Sequence, residues 1–416
     1  MRIIADFHIH SKYSRAVSRD MTLENLDIWA WKKGIQVIGT GDFTHPQWFD
    51  DIKTKLESAE AGLFRLKGDN DSATRFILTA EISSIYSKGG KVRRIHNIIF
   101  SPSIETVEKI NTTLGLIGNL KSDGRPILGL DSKKLLEIIL KIDPRCVLVP
   151  AHAWTPWFSI FGSMSGFDSI EECFEELSPH IFAIETGLSS DPAMNWRLSK
   201  LDKIALISNS DSHSPQKIGR EANVFDCELS YDGIINAIKS RDPKKFLFTI
   251  EFFPEEGKYH YDGHRLCGIS MSPTETKKNK GICPKCKKSL TIGVMNRVDK
   301  LADREIGEGS GEKIPFKNLI PLNEIIANVL GVGVVSMAVK KEYEKLIEVV
   351  GNEFKILIDA AYEDLKRATT DAIASGIVAV RERKVELIPG YDGEYGKIKI
   401  IKEDKKAISS NQGKLF

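Results

Sequence analysis

The chain of 416 residues contains no run of the ~18 uninterrupted apolar residues that a membrane-crossing helix needs. Its first residues lack the basic, apolar and small-residue succession of a secretory signal. These two absences predict a cytoplasmic protein with no membrane partner. No segment recurs at the period of a solenoid or array. Neither sign of charge dominates, with 59 Lys and Arg against 57 Asp and Glu. A net charge near zero excludes little, because basic residues can still be gathered on one surface. Cysteine is scarce. Cys146, Cys173 and Cys227 lie singly among apolar neighbours and read as buried free thiols. Cys267, Cys283 and Cys286 share one polar segment, which points to metal rather than disulfides in a reducing compartment.

What is present is a sizeable core: 41% of residues are hydrophobic and 28% charged, as in globular proteins. The length exceeds one ordinary compact domain and suits a large barrel with appendages. Up to about residue 252, short apolar runs alternate with amphipathic stretches such as LENLDIWAWKKG and KKLLEIILKI. The runs include RIIADF, IQVIGTG, RFILTAE, RIHNIIF, CVLVPAH, IFAIETG and KIALISNS. This alternation predicts an α/β fold with a parallel sheet covered on both faces, and the number of strands favours a (β/α) barrel over 1–252. Composition breaks at PEEGKYHYDGHRLCG. We expect a zinc-binding module over 253–313, a helical DNA-binding domain over 314–400 and a flexible tail over 401–416.

The first strand ends in DFHIH. Asp6, His8 and His10 alternate, so on a strand they share one face. A carboxylate with two imidazoles suits a divalent metal. Later strand ends repeat that chemistry. Asp42 and His45 follow the second, Glu81 ends the third, His96 lies on the fourth, and His152 ends the fifth. Glu185 closes the sixth, and Asp211 and His213 follow the seventh. In a parallel barrel all these ends open on one face. So many ligands exceed the need of one ion, and carboxylates such as Glu81 and Asp211 would bridge neighbouring metals.

The set D-x-H-x-H, Asp42, Glu81, His96, His152 and S-D-S-H resembles the polymerase-and-histidinol-phosphatase (PHP) superfamily of metal-dependent phosphoesterases. That resemblance covers about the first 250 residues and implies a distorted (β/α) barrel of the PHP type. It also implies two or three divalent ions (Zn, Mg or Mn). The chain departs from the pattern where many members carry a further His, here SKYSRAVS, and where T-D-H is common, here Gly41-Asp42-Phe43. His45 is the candidate replacement. Across nearly the whole length, GTGDFTHP, ETGLSSDPAMNWR, NSDSHSP, the cysteine segment and PGYDGEYGKI resemble the endonuclease Q family. This closer resemblance implies a DNA repair nuclease that cuts 5′ of deaminated bases (uracil, hypoxanthine, xanthine) and at abasic sites. It favours a catalytic role for Asp191, beside Glu81 and Asp211, over helix capping in its Asp-Pro turn. Two other readings stay open, a small-molecule phosphomonoesterase on the same barrel and a non-catalytic nucleic-acid adaptor.

Cys267 and the pair Cys283-x2-Cys286 predict a tetrahedral structural zinc site. Ser270 stands where a second Cys of a C-x2-C would fall, so the fourth ligand is His264, with His260 as competitor. Lys277, Lys278, Lys280, Lys285, Lys287 and Lys288 make this module a candidate for phosphate-backbone contact. Lys88, Lys91, Arg93 and Arg94 form a second basic cluster. Trp154, Trp157 and Phe158, after His152, are candidates for stacking on an unstacked base. VLGVGVVSMA resembles a helix-hairpin-helix turn, with close packing of two helices through small residues as the alternative. The final QGKLF resembles the start of a sliding-clamp-binding tail and implies the clamp as a partner.

Overall fold

The computed structural model describes residues 1–68, 72–305, 307–308 and 313–401, so the QGKLF tail lies outside the described residues. Ten strands frame the molecule: β1 (Arg2–Asp6), β2 (Val37–Gly39), β3 (Arg75–Lys88), β4 (Lys91–Ser101), β5 (Val147–Pro150), β6 (Ala183–Glu185), β7 (Ala205–Ile207), β8 (Ala222–Asp226), β9 (Phe246–Glu251) and β10 (Phe316–Asn318). One large sheet carries them in the order β10-β9-β8-β1-β2-β3, continuing through β4 to β5, while β6 and β7 pair separately. Isolated hydrogen bonds, rather than a ladder, join that pair to its neighbours. Ala153 N donates to Glu185 O at 2.9 Å beside β5, and Asn223 on β8 bonds Ser208 just past β7 through both its amide groups. The ring of strands thus closes, in part by isolated bonds.

The sheet is mixed, where alternation in the sequence predicts parallel pairing. β1–β2, β2–β3 and β6–β7 are parallel, but β1–β8, β3–β4, β4–β5 and β8–β9 are antiparallel. The cause of the β3–β4 reversal is local. Gly89 and Gly90 both adopt positive φ, +60° and +71°, the combination a two-residue hairpin turn requires. Glu81 therefore lies in mid-strand, and β3 and β4 run on beyond it as a two-stranded arm.

Inside the ring, Ile3, Ala5 and Phe7 meet Ile77, Ile98, Phe100, Val149 and Phe225. Phe7 and Phe100 pack edge to face at 5.4 Å, a preferred aromatic geometry. Helices cover the outside, and Thr22, Ser103, Asp131 and Ser230 each accept a first-turn N–H as N-caps. Helices Leu322–Leu330, Met337–Val350, Tyr362–Ala368 and Asp371–Arg381 follow, then a hairpin of Val385–Ile388 with Lys397–Ile400. β10, sequence-assigned to the helical segment, pairs with β9 of the main sheet.

Candidate metal centre and nucleic-acid surface

His8 and His10 lie just past β1, and their rings are held from behind. His8 Nδ1 is 3.0 Å from Glu185 Oε1, and His10 Nδ1 is 3.0 Å from Asp42 Oδ1. Each carboxylate has other bonds to fix it. Asp42 accepts Ser11 N, Ser11 Oγ and Ser14 Oγ, while Glu185 accepts His152 N and Asn209 Nδ2. A carboxylate behind an imidazole sets its tautomer and direction, the arrangement that supports metal-ligating histidines. The front atoms, His8 Nε2, His10 Nε2 and Asp211 Oδ1, are buried without a hydrogen-bond partner. His10 Nε2 and Asp211 Oδ1 are 3.1 Å apart. Three orphaned ligand atoms that face one another fit a divalent cation.

Glu81 links this group to a second one, made with His96 and His152. Its Oε1 is 2.8 Å from His96 Nδ1 and 3.1 Å from His152 Nε2. Its Oε2 is 3.2 Å from His10 Nε2 and 3.5 Å from His8 Nε2. The two clusters therefore share one carboxylate, as a bridged pair of ions would require. Burial opposes ionisation of Glu81, yet His96, Arg125 and His8 hold its carboxyl well below the usual range. Burial likewise disfavours the imidazolium of His8, but Glu185 and Glu81 raise its pKa well above the ordinary value. At His96 burial wins, and the pKa falls to about 4.

Backbone strain concentrates here. Asp42, His152 and Asp211 have φ of +49°, +29° and +45°, a region that L-residues rarely adopt and that clusters at functional sites. Gly41 has φ +59°, and a Cβ on it would lie 2.3 Å from Ile9 O. This is why GTGD can press Asp42 against His10.

The remaining candidates sit at varied depth. His213 flanks His10 at a ring distance of 4.8 Å, and its Nδ1 bonds Asp211 O at 2.9 Å. His45 stands outside both groups. It caps the helix Pro46–Lys55 by position and stacks on Tyr13 at 4.4 Å, and burial lowers its pKa. Asp6 accepts Ser210 N and Gly219 N, so it ties down the Asp211 loop. Asp191 is the N-cap of the short helix Pro192–Asn195, with Oδ1 2.9 Å from Met194 N. Arg125 was not singled out from the sequence. Its Nη1 lies 3.1 Å from Glu81 Oε2, and no motif marks the KSDGRP turn that carries it. Glu185 stood in view as a strand end, but spacing alone does not reveal its place behind His8.

Among the aromatics, Trp154 requires correction. It is 0% exposed, bonds Asn195 through its indole N–H and packs on Phe161, so it belongs to the core. Trp157 and Phe158 are half-buried. Phe158 packs on His96 at 4.8 Å, and Trp157 meets Tyr259 edge to face. Gly331 and Gly333 in VLGVGVVSMA have open space around them, which removes close helix packing as their purpose. The turn is exposed, with Val335 99% and Met337 76% accessible.

His264, Cys267, Cys283 and Cys286 come together as a tetrad. His264 is the histidine of that group. His260 is buried elsewhere against Tyr261. Burial resists ionisation of Cys283, but N–H groups of Cys286 and Lys285 bring its thiol down to about 7, so a thiolate ligand forms readily. PGYDGEYG fastens the module: Asp392 accepts Arg265 N and Thr291 Oγ1. All six lysines between Lys277 and Lys288 are exposed. Lys277 pairs with Asp299 and Lys285 bonds Cys267 O, whereas Lys278, Lys280, Lys287 and Lys288 have no side-chain partner among the described residues.

A mixed α/β sheet carrying two histidine–carboxylate clusters that share Glu81, followed by a Cys/His module and a helical region, defines an α/β protein with a candidate metal centre and appended modules. The model of the MJ0043 C-terminal domain matches residues 321–384. An uncharacterized Methanocaldococcus jannaschii protein, MJ0043, is 34% identical over 255 residues, which is 59% of this chain but 31% of that protein. This chain therefore spans about a third of that relative's length. YqxK of Bacillus subtilis, also uncharacterized, is 30% identical over 413 residues, 96% of this chain and 99% of YqxK. The crystal structure of the lesion-specific endonuclease PfuEndoQ from Pyrococcus furiosus superposes with a TM-score of 0.86 at 32% identity, covering 98% of this chain and 97% of that one. Endonuclease Q in complex with a 27-mer duplex bearing an abasic lesion at the active site gives 0.85 at 32% identity, covering 99% and 100%. The chain belongs to the endonuclease Q family.

Proposed function

We propose that this protein is a metal-dependent DNA repair endonuclease that hydrolyses the phosphodiester 5′ of deaminated bases (uracil, hypoxanthine, xanthine) and abasic sites. The observation that carries the reading is the set of orphaned atoms His8 Nε2, His10 Nε2 and Asp211 Oδ1 beside the shared Glu81, in a chain that matches a lesion-bound endonuclease over its full length. His8, His10 and Asp211 would hold one ion, His96 and His152 another, with Glu81 between them; His213 is a further candidate ligand at the rim. Metals bound there would polarise the phosphate and make a water more acidic, from 15.7 to about 7 in the best-known case.

The chain's own groups do the rest. Asp42 and Glu185 keep two imidazoles aimed. The Arg125 guanidinium, beside Glu81, offers donors to the phosphate as charge develops. Asp191, held as the cap of Pro192–Asn195 with its pKa raised by burial, is the candidate that the family resemblance offers for taking a proton from the attacking water. Trp157 and Phe158 flank the lesion base once it leaves the stack. The exposed lysines of the cysteine module and the Gly331–Gly333 turn would contact the backbone.

The test is an end-labelled duplex with one deoxyuridine, incubated with Mg²⁺ or Mn²⁺ beside an unmodified duplex. A single cut on the 5′ side of the uracil is expected, and Asp211→Asn should lose at least ~10²–10³-fold in rate. Asp191→Asn is the sharper probe, because Asn caps helices as well as Asp does. A fall of ~10²-fold or more identifies proton transfer, while wild-type rates reduce Asp191 to a cap. Release of phosphate from monoesters without any nicking would favour the phosphatase. DNA binding without hydrolysis of either substrate would favour the adaptor.

A further inference from the structure

A cleft of about 200 Å³ lies away from the histidines, between the β3–β4 arm, the loop 162–168 and the helix Val294–Leu301. Four cations line it, Lys91, Arg93, Arg297 and Lys300, against the two carboxylates Asp168 and Glu172. Arg297 is spoken for: it pairs with Asp168 at 2.6 Å and bonds the carbonyls of Phe161 and Phe167. Arg93 lies over the Phe167 ring at 4.0 Å and bonds Gly166 O, which fixes its plane. The side chains of Lys91 and Lys300 have no hydrogen bond or ion pair among the described residues. Ser163 Oγ is buried and without a partner. The loop itself is tightly wound. Gly166 N donates to Gly162 O at 2.9 Å, and a Cβ on Gly166 would lie 2.4 Å from Gly162 N. A fixed guanidinium, two ammonium groups that share the field of Asp168 without a hydrogen bond, and an unsatisfied hydroxyl are what a phosphate oxyanion would engage.

We propose that this cleft is a phosphate subsite in which Lys91, Arg93, Lys300 and Ser163 take one backbone phosphodiester of the DNA substrate. The inference rests on the nuclease reading above and says how the duplex is held. Arg93 precedes His96 by three residues on β4, about 10 Å along the strand, and an odd spacing puts it on the opposite face of the arm. The loop folds around the arm in the same sense, with Phe158 against His96 and Phe167 against Arg93. A strand cut at the histidines reaches the cleft by crossing the arm's edge, on the order of three to five nucleotides away at ~3.4 Å per nucleotide. The contact carries no base information, so it holds damaged and undamaged DNA alike.

The test compares wild type with Lys91→Gln/Lys300→Gln and with Ser163→Ala, using fluorescence anisotropy on a uracil-containing duplex and its undamaged counterpart across a salt series. The double variant should bind both duplexes about tenfold more weakly, with the slope of log affinity against log salt reduced by about one. Nicking at saturating DNA should stay within about twofold of wild type, since uniform binding is what is lost. A neutral methylphosphonate scanned along the duplex should weaken wild type at one linkage, three to five nucleotides from the cut, on the order set by the arm's geometry. The double variant should be indifferent to that linkage. Unchanged affinity and slope in a variant whose wild-type parent binds and nicks would overturn the subsite alone. Inorganic phosphate that protects Lys91 and Lys300 from acylation, with DNA affinity unchanged in the variant, would overturn it in favour of a free-anion site. A wild-type protein that neither binds nor nicks would overturn the nuclease reading, and the subsite with it.

Discussion

Glu256 shows how burial at one residue sets a pH dependence for the fold. Burial, reinforced by Glu324 and Glu255, raises its carboxyl to about 8, and Oε1 has no hydrogen-bond partner. A carboxyl raised in the folded state binds a proton that the unfolded chain releases near 4.5. Its stabilising contribution is therefore whole below that value and is lost as pH climbs towards 8. Glu256→Gln keeps the neutral shape at every pH. It should raise stability at pH 8 by on the order of 1–3 kcal/mol, with the advantage gone at pH 5, as thermal melts at the two pH values would show. At this scale the residues that gather at the centre were legible, Asp42 among them, but the supporting place of Asp42 and Glu185 behind the imidazoles was not. His8, His10, Glu81, His96, His152 and Asp211 stand out because imidazoles and carboxylates recur at strand ends. Asp42 and Glu185 act from behind through Nδ1 atoms, and Arg125 comes from a loop. Those contacts depend on how three distant segments pack, which spacing along the chain does not encode.

At the scale of elements, the Cys/His module is gathered at two places, the Cys/His tetrad and the PGYDGEYG clamp. Below about 70–80 residues a core alone seldom stabilises a unit, and the cluster inside this one consists of Met271, Cys283 and Leu290 with Cys267 and Ile269 against it. We expect one zinc per chain to survive dialysis against a mild chelator that empties the histidine centre. Cys283→Ser should lose that zinc and make the 253–313 segment sensitive to protease, with zinc content by plasma emission as the readout. The gathering of His264, Cys267, Cys283 and Cys286 is readable because knuckle spacing is local. The antiparallel course of β3 and β4 was equally local, written in SKGGKV, where two glycines between β-rich runs signal a hairpin; the alternation of strand and helix elsewhere outweighed it. Trp154 illustrates the opposite case. A loop aromatic in a Gly/Ser-rich stretch gives no local sign of whether it turns outward or, as here, inward onto Asn195.

At the scale of the whole molecule, a buried ion pair adds to the β9–β10 pairing in tying the helical region to the main sheet. Lys33 Nζ and Glu353 Oε2 are 2.8 Å apart, at 3% and 4% exposure. Glu353 also accepts Leu322 N and Tyr343 Oη–H. The surface pairs Lys32–Glu344 and Arg2–Asp359 span the same boundary and contribute little each. Glu353→Gln strands the Lys33 ammonium in the interior and should cost about 3–5 kcal/mol, seen as a lower urea midpoint with the slope unchanged. Replacing both partners by apolar residues of similar volume should recover most of the loss.

The ring of strands has one further consequence. Most of it is joined by ladders, but the β6–β7 pair is stitched in on each side by few bonds, through Ala153–Glu185 and Asn223–Ser208. In mechanical terms the barrel is a cuff with a latch, and Glu185, the residue that steadies His8, sits on the latch. Opening a few bonds there would slacken the histidine centre while the rest of the wall stands. Disturbing the histidine centre should then need a smaller push than unfolding the molecule.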